Sequence, residues 1–378
     1  MSASNPFTPS FGTTPPLLVG RDDAIHAFAE ALDTGVGDPY RAMLLTGTRG
    51  SGKTVLLNAM EDQARQRGWA VVSQTTRTGM LEEMIETRLP RAAIDALGRR
   101  NRSMVTGASA TAFGVGASIT RDVQPDTGPE PDLRDRLFAL ADTLDETNQA
   151  GVLISIDEVH RSALDDLRVI VQEIQHAFRE GRQVAFISAG LPESVSDLLN
   201  ENVLTFLRRA ERYSLGPVDD SDVADALATP IARLGHDITD DALDIATSGT
   251  GGYPYLIQTV GYESWKLARS STTITAEHAR KGVEAARRRV GRLVHDPTLA
   301  ALSAIDKSYL VAMAVDDGPS KTGDIARRIG QTPQYAGTYR KRLLEHGIIN
   351  NPRYGYVDFT LPYLREYLRE HAATEALT

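Results

Sequence analysis

The sequence predicts an α/β protein: a parallel sheet around a phosphate-binding loop, then a helical lid, then a small C-terminal winged-helix domain. Three observations carry this expectation. Short continuous apolar runs end in polar, chemistry-bearing residues, as strands buried on both faces do. One such run, RAMLLTG, leads directly into the glycine-rich stretch GTRGSGKT, Gly47 to Thr54. From residue 297 onward the pattern changes to short helices followed by a hairpin.

A chain of 378 residues, 41% of them hydrophobic, has room for two or three cores. Its formal net charge of -9 argues against coating nucleic acid by bulk charge and leaves only a local basic face for that role. The absence of cysteine excludes disulfides, thiolate metal sites and thiol nucleophiles, and fits a reducing, cytoplasmic setting. No apolar run approaches the length of a membrane span, so no membrane partner is expected. MSASNPFTPSFGTTPP lacks the pattern of a signal peptide, and residues 1–17 read as an extended, proline-rich arm.

The spacing GxxxxGK[ST] is met by Gly47, Gly52, Lys53 and Thr54. Glycines at such positions let backbone N–H groups turn inward around a β-phosphate. Lys53 can reach the β- and γ-phosphates, and the Thr54 hydroxyl suits Mg²⁺. Thr48, Arg49, Gly50, Ser51 and Val55 complete the stretch expected to touch nucleotide. Downstream, KTVLLNAMEDQARQRG has helical spacing and a terminating glycine, which puts a helix N-terminus under the phosphates.

Hydrolysis needs a second group of residues that supports the metal and activates water. GVLISIDEVH supplies it: the apolar run would deliver Asp157 and Glu158 to the carboxyl edge of the sheet, where α/β proteins bind ligands. Asp157 is the candidate to support Mg²⁺ and Glu158 the candidate to polarise water, with His160 a bystander.

Together these residues resemble the AAA+ class of P-loop ATPases, including its initiator-type and STAND members, over roughly residues 18–292. The resemblance implies ATP or ADP with Mg²⁺ as cofactors. LVGRDDAIHAFAEAL is similar to the Val-Gly-Arg segment that lies beside the adenine, with Arg21 in that place. RQVAFISAGLPES resembles the sensor-1 strand, with Ser188 near the γ-phosphate. FLRRAERYSL resembles the turn that bears an arginine finger, Arg209 matching best and Arg208 second; such a finger acts between subunits and implies a homo-oligomer. GTGGYPYLIQTVG resembles the GxP signature of the lid, with Gly252 and Pro254 as its matches. No sensor-2 arginine is evident in that helix.

Asp157 follows Lys53 by about a hundred residues, a long gap for motifs on one sheet. An insertion at about residues 100–131 accounts for it, read either as a finger for DNA or a partner, or as a variable surface loop. The resulting organisation is an arm at 1–17, a nucleotide-binding domain at 18–218, a helical lid at 219–293 and a winged-helix domain at 297–378. The last lid helix, AEHARKGVEAARRRVGRL, is strongly basic and either touches phosphates or is simply solvated.

In the C-terminal domain Thr332 is placed to cap the third helix, and Ile348–Ile349 and YVDF form a wing around NNPRYG. Gln334, Thr338, Lys341 and Arg342 are the expected groove-facing residues of a recognition helix for double-stranded DNA, with Arg353 in the wing for phosphate. Two functions compete: an ATP-regulated DNA-binding protein, and a STAND-type signalling switch whose winged helix binds protein or autoinhibits. A small-molecule kinase would leave the Asp-Glu pair, the lid and the winged helix without a use.

Overall fold

The computed structural model describes residues 4–10, 17–99, 130–146, 150–200 and 207–375, so all but the end of the expected insertion lies outside the described residues. The chain forms two compact units. One contains Met1–Arg21, Gly47–Val55 and Leu215–Thr378; the other contains Asp22–Thr46 and Leu56–Ser214.

The second unit is built on the sheet. Strands β1 (Ala42–Gly47), β2 (Ala70–Thr75), β3 (Val152–Val159), β4 (Val184–Gly190) and β5 (Glu211–Leu215) lie in the order β2-β3-β4-β1-β5. The β1–β4, β3–β4 and β2–β3 pairs are parallel. Residues 152–156 and all of β4 are buried, as continuous apolar strands covered on both faces must be. Alternation then assigns the faces. Leu44, Ile154, Ile156 and Phe186 join one core with Leu140 and Ile174 from the helices Leu133–Glu146 and Leu164–Arg179. Ser155 points the other way, where its hydroxyl donates to buried Glu61 of the helix Lys53–Gln66 at 2.5 Å. Because β4 runs between β1 and β3, the strand that feeds the glycine-rich loop and the strand that ends in acids are one strand apart.

In the other unit, the expected lid comprises the helices Asp220–Arg233, Asp240–Thr250, Pro254–Leu267 and Ala276–Val290 around a core that includes Leu227, Leu256, Val260 and Ala286. The short strands β6 (Asp237–Ile238) and β7 (Thr273–Ile274) pair in parallel beside it. The start of the expected arm is packed into this core. Phe7 is buried against Gly261, where a Cβ would come within 2.5 Å of the ring. Asn5 donates to the Tyr262 carbonyl, and Gln258 accepts from the Thr8 N–H. Residues 5–8 are a strap over the lid.

Between the expected lid at 219–293 and the expected winged-helix domain at 297–378 the helical path does not break. The basic helix continues through one π turn, Gly291–His295, into the helix Asp296–Ala300, whose first turn holds Pro297 in the position proline tolerates. The helical path ends at Ala301 instead, and Ser303 caps the next helix, Ala304–Ala314, in a reciprocal capping box with Asp306. There follow β8 (Ser320–Lys321), the helices Thr322–Arg328 and Pro333–Glu345, β9 (Ile349–Asn350), β10 (Tyr356–Phe359) and the helix Leu364–Glu375. The three strands form an antiparallel sheet in the order β8-β10-β9. Thr332 accepts from the Tyr335 N–H, the cap the sequence implies.

His295 sits where lid and C-terminal domain join, buried, with the Tyr367 ring 5.3 Å away. Burial pushes its imidazole down to about 4, against the opposing influence of Asp296 and Glu366. The unfolded chain therefore binds the proton more tightly. Stability tied to His295 is complete above about pH 6.5 and is lost as pH falls toward 4, by about 3 kcal/mol in all. Urea unfolding of wild type and His295→Gln at pH 7 and pH 4 should show their stability difference changing by that order; parallel pH dependence would rule the effect out.

The strap gives a second expected outcome. Phe7→Ala should lower the stability of the lid by about 3 kcal/mol, the usual cost of deleting a buried phenylalanine. Fluorescence of Trp265, buried in the lid, reports it in a Trp69→Phe background.

Candidate functional site

The glycine-rich loop turns through left-handed backbone at Gly50 (φ +74°) and Gly52 (φ +91°), conformations that glycine adopts without steric cost. A side chain at Gly47 would meet the Ser51 hydroxyl at 2.5 Å and Leu215 at 3.0 Å. Lys53 opens the following helix, and its ammonium donates to the Gly47 and Thr48 carbonyls, both at 2.8 Å. The N-terminal end of a helix thus lies directly after the loop, an electrostatic setting that favours an anion.

Three further segments of the same unit meet around the loop. Arg21 is buried and donates to the Gly216 carbonyl at 2.6 Å and to the Gly20 carbonyl at 3.0 Å. Gly252 (φ +68°) lies against Val218, whose N–H donates to the Gly252 carbonyl at 2.8 Å. A Cβ on Gly52 would stand 3.8 Å from Pro254, and the Tyr253 hydroxyl donates to the Arg49 carbonyl. Arg21, the glycine-rich loop, Gly252 and Pro254 are therefore brought together in one unit. Tyr253 was missed, although its place between Gly252 and Pro254 was the available signal.

The acidic pair sits at the carboxyl end of β3. Asp157 continues the alternation of Ser155 and so belongs to the face covered by the helix Lys53–Gln66. Its carbonyl accepts from the Thr76 N–H at 3.0 Å and hydroxyl at 3.2 Å, and its carboxylate accepts from the Glu158 N–H at 2.8 Å. Glu158 is exposed and adopts φ +57°, at a register shift between Ile156 and Val159. A glutamate in that conformation stores of order 1 to 2 kcal/mol of backbone strain, which turns the side chain out of the strand's alternation.

The remaining residues are dispersed. Ser188 aligns with Ile156 and Leu44, which puts its hydroxyl on the face opposite Asp157, buried and without a hydrogen-bond partner among the described residues. Arg208 and Arg209 are exposed in the turn before β5, and Arg208 donates to the Leu199 carbonyl at 2.9 Å. Gln334, Thr338 and Lys341 are exposed along one face of the helix Pro333–Glu345. Arg342 is engaged differently. Its guanidinium pairs with buried Asp306 at 2.5 Å and donates to the Ser303 hydroxyl at 2.9 Å, tying this helix to the capping box. Arg353 is exposed, with its guanidinium 3.8 Å from the centre of the Tyr356 ring.

The donors fit a nucleoside polyphosphate with Mg²⁺. The Thr54 hydroxyl is a hard oxygen of the kind that cation takes, and the loop offers backbone amides at positions where only glycine fits. The fold and these residues define a P-loop protein of the α/β class. Residues 17–187 match the family described as an AAA ATPase domain. Residues 292–368 match a domain of unknown function, DUF8462. No curated protein matches the chain. Among solved structures, the Aeropyrum pernix ORC2 protein in its ADPNP–ADP complexes is similar in fold, with a TM-score of 0.59, 16% identity and 98% of each chain covered. Its ADP form gives a TM-score of 0.54 at 14% identity over 98% of each chain.

Strain at Glu158 separates two substitutions. Glu158→Gly should relieve the left-handed backbone and raise stability by up to about 1 kcal/mol, while Glu158→Gln should leave stability within about 0.5 kcal/mol. Denaturant melts of the two variants check this, and a Glu158→Gly protein less stable than Glu158→Gln would remove strain as the explanation.

Proposed function

We propose that the protein binds and hydrolyses ATP, and that its nucleotide state regulates binding of double-stranded DNA and self-assembly through the C-terminal domain. The observation that carries this reading is the convergence of Arg21, the glycine-rich loop and the Gly252–Pro254 turn in one unit. The sheet of the other unit ends in Asp157 and Glu158. In this reading the backbone amides of residues 50–54 hold the phosphates, Lys53 neutralises their charge, and Pro254 and Arg21 border the base. The Thr54 hydroxyl and Asp157 would hold Mg²⁺, which when bound would offset the charge of the transferred phosphoryl group. Glu158 accepts a hydrogen bond from water and orients it for attack, and Arg209, with Arg208 second, completes the site from a neighbouring subunit. Ser188, the sensor-1 match, lies on the face opposite Asp157 and takes no step in this scheme. The ADPNP and ADP complexes of the ORC2 protein are consistent with the nucleotide assignment.

The C-terminal element order, with a capped third helix and a two-strand ribbon around residues 351–355, supports a winged helix. Gln334, Thr338 and Lys341 then face the major groove and Arg353 contacts phosphate. Arg342 serves the helix's attachment to Asp306 more than a groove. One observation favours the signalling-switch reading: the Tyr363 hydroxyl donates to the Gly249 carbonyl at 2.5 Å while the Arg287 guanidinium lies 4.0 Å from its ring centre, so the C-terminal domain packs on the lid.

Paired measurements test both parts. Lys53→Ala should abolish binding of ATP, while Glu158→Gln should bind ATP and lose turnover, because one acts on ground-state phosphate charge and the other on the attacking water. Lys341→Glu with Arg353→Glu should weaken duplex DNA binding at least tenfold and flatten its salt dependence, with ATP binding unchanged. If wild type binds no duplex and the double reversal instead accelerates ADP exchange, the switch reading replaces the DNA-binding one.

A further inference from the structure

The lid reaches the glycine-rich loop through one side chain that the scheme above does not use. Tyr253 is the residue before the first turn of the helix Pro254–Leu267, and it is 7% exposed. Its hydroxyl donates to the Arg49 carbonyl, and a Cβ on Gly50 would overlap the phenol. The ring thus presses on the single peptide that joins Arg49 to Gly50. Burial also raises the phenol's pKa above its ordinary value, so it stays protonated and remains a donor.

A trans peptide carries its C=O and N–H on opposite sides. Fixing the Arg49 carbonyl toward the lid therefore turns the Gly50 N–H away from the lid. Gly50 follows with φ +74°, and successive N–H groups around such a left-handed residue converge as an anion nest. Glycine at 50 is needed twice, once for that angle and once for the space the phenol occupies. The lid side of the contact is equally constrained. Gly252 can bear no side chain because Val218 occupies the position, and the Val218 N–H holds the Gly252 carbonyl.

We propose that Tyr253 is a positioning residue for phosphate: its hydroxyl sets the orientation of the Arg49–Gly50 peptide, and thereby aims the Gly50 N–H as a donor to the bound anion. This rests on the nucleotide-binding reading. The contact also makes the phosphate affinity of the loop depend on the lid's position, since a lid that swings away takes the hydroxyl with it.

Tyr253→Phe removes only the oxygen. Binding of ADP and of inorganic pyrophosphate should weaken by the same factor, about three- to tenfold, as expected for one lost hydrogen bond. The melting temperature without nucleotide should fall by only a few degrees, about the cost of one hydrogen bond, so that binding is compared between folded proteins. A second pair uses the steric side of the contact. Gly50→Ala should weaken pyrophosphate binding strongly in the wild-type background and markedly less in a Tyr253→Gly background, where no phenol meets the methyl group. Unchanged or tighter pyrophosphate binding in Tyr253→Phe, or a Gly50→Ala effect of the same size in both backgrounds, overturns the proposal. Failure of wild type to bind ADP at all would instead sink the nucleotide-binding reading, and the proposal with it.

Discussion

Backbone approaching where no side chain fits is the constraint on which the site depends. Leu215 and Ser51 fill the space beside Gly47, Tyr253 fills it beside Gly50, and Val218 fills it beside Gly252. Each of these glycines is the place where one segment leans on another, so the loop, the 215–218 segment and the lid turn cannot be shaped independently. Close packing makes this strict: an interior packed to crystal-like density has no slack for an added methyl group. The loop's conformation is then a property of the whole unit rather than of eight residues.

Much of this was legible in the sequence because chemistry and periodicity coincide there. The apolar run before Gly47, the helical spacing after Lys53 and the buried run before Asp157 all form the elements they imply. The four lid helices and the Thr332 cap are likewise local signals. What escaped depends on partners far away in the chain. Phe7 looks like part of an extended, proline-rich arm until Gly261, more than two hundred residues later, leaves room for its ring. Arg342 looks like a groove-facing cation until Asp306, 36 positions earlier, is buried without another guanidinium in reach of its carboxylate among the described residues. Ser188 has the residue type of a sensor, but a parallel register with Leu44 and Ile156 fixes its face, and register is not written in a single strand. β8 is too short at two residues to leave a pattern.

The acidic pair shows where local rules give way. A glutamate following an apolar strand ordinarily extends it, and alternation would place Glu158 on the face opposite Asp157. The left-handed turn at Glu158 breaks that alternation, and the ladder hydrogen bonds of β3 with β2 hold the strand straight up to Asp157. Strain of this kind persists only when surrounding contacts over-determine it. Here the Asp157 carbonyl, held by both donors of Thr76, and the Asp157 carboxylate, held by the Glu158 N–H, supply them.

The same turn of the lid that meets the loop is also held from the C-terminal side. The Tyr363 hydroxyl donates to the Gly249 carbonyl, four residues before Tyr253, and between them the Thr250 hydroxyl accepts from the Gly252 N–H. Tyr363 is itself in left-handed backbone, so its ring is placed by the chain and not by rotamer choice alone. Residues 249–253 thus carry hydrogen bonds to the C-terminal domain at one end and to the glycine-rich loop at the other. Five residues with two left-handed glycines among them can change shape at low cost, but they cannot lengthen. A displacement of the loop that moves Tyr253 must therefore either be absorbed at Gly251 and Gly252 or be passed to Gly249 and the helix that begins at Leu364. Which of the two happens is set by the stiffness of those glycines, and the short stretch between the Gly249 and Tyr253 contacts is thereby a mechanical link between the glycine-rich loop and the C-terminal domain.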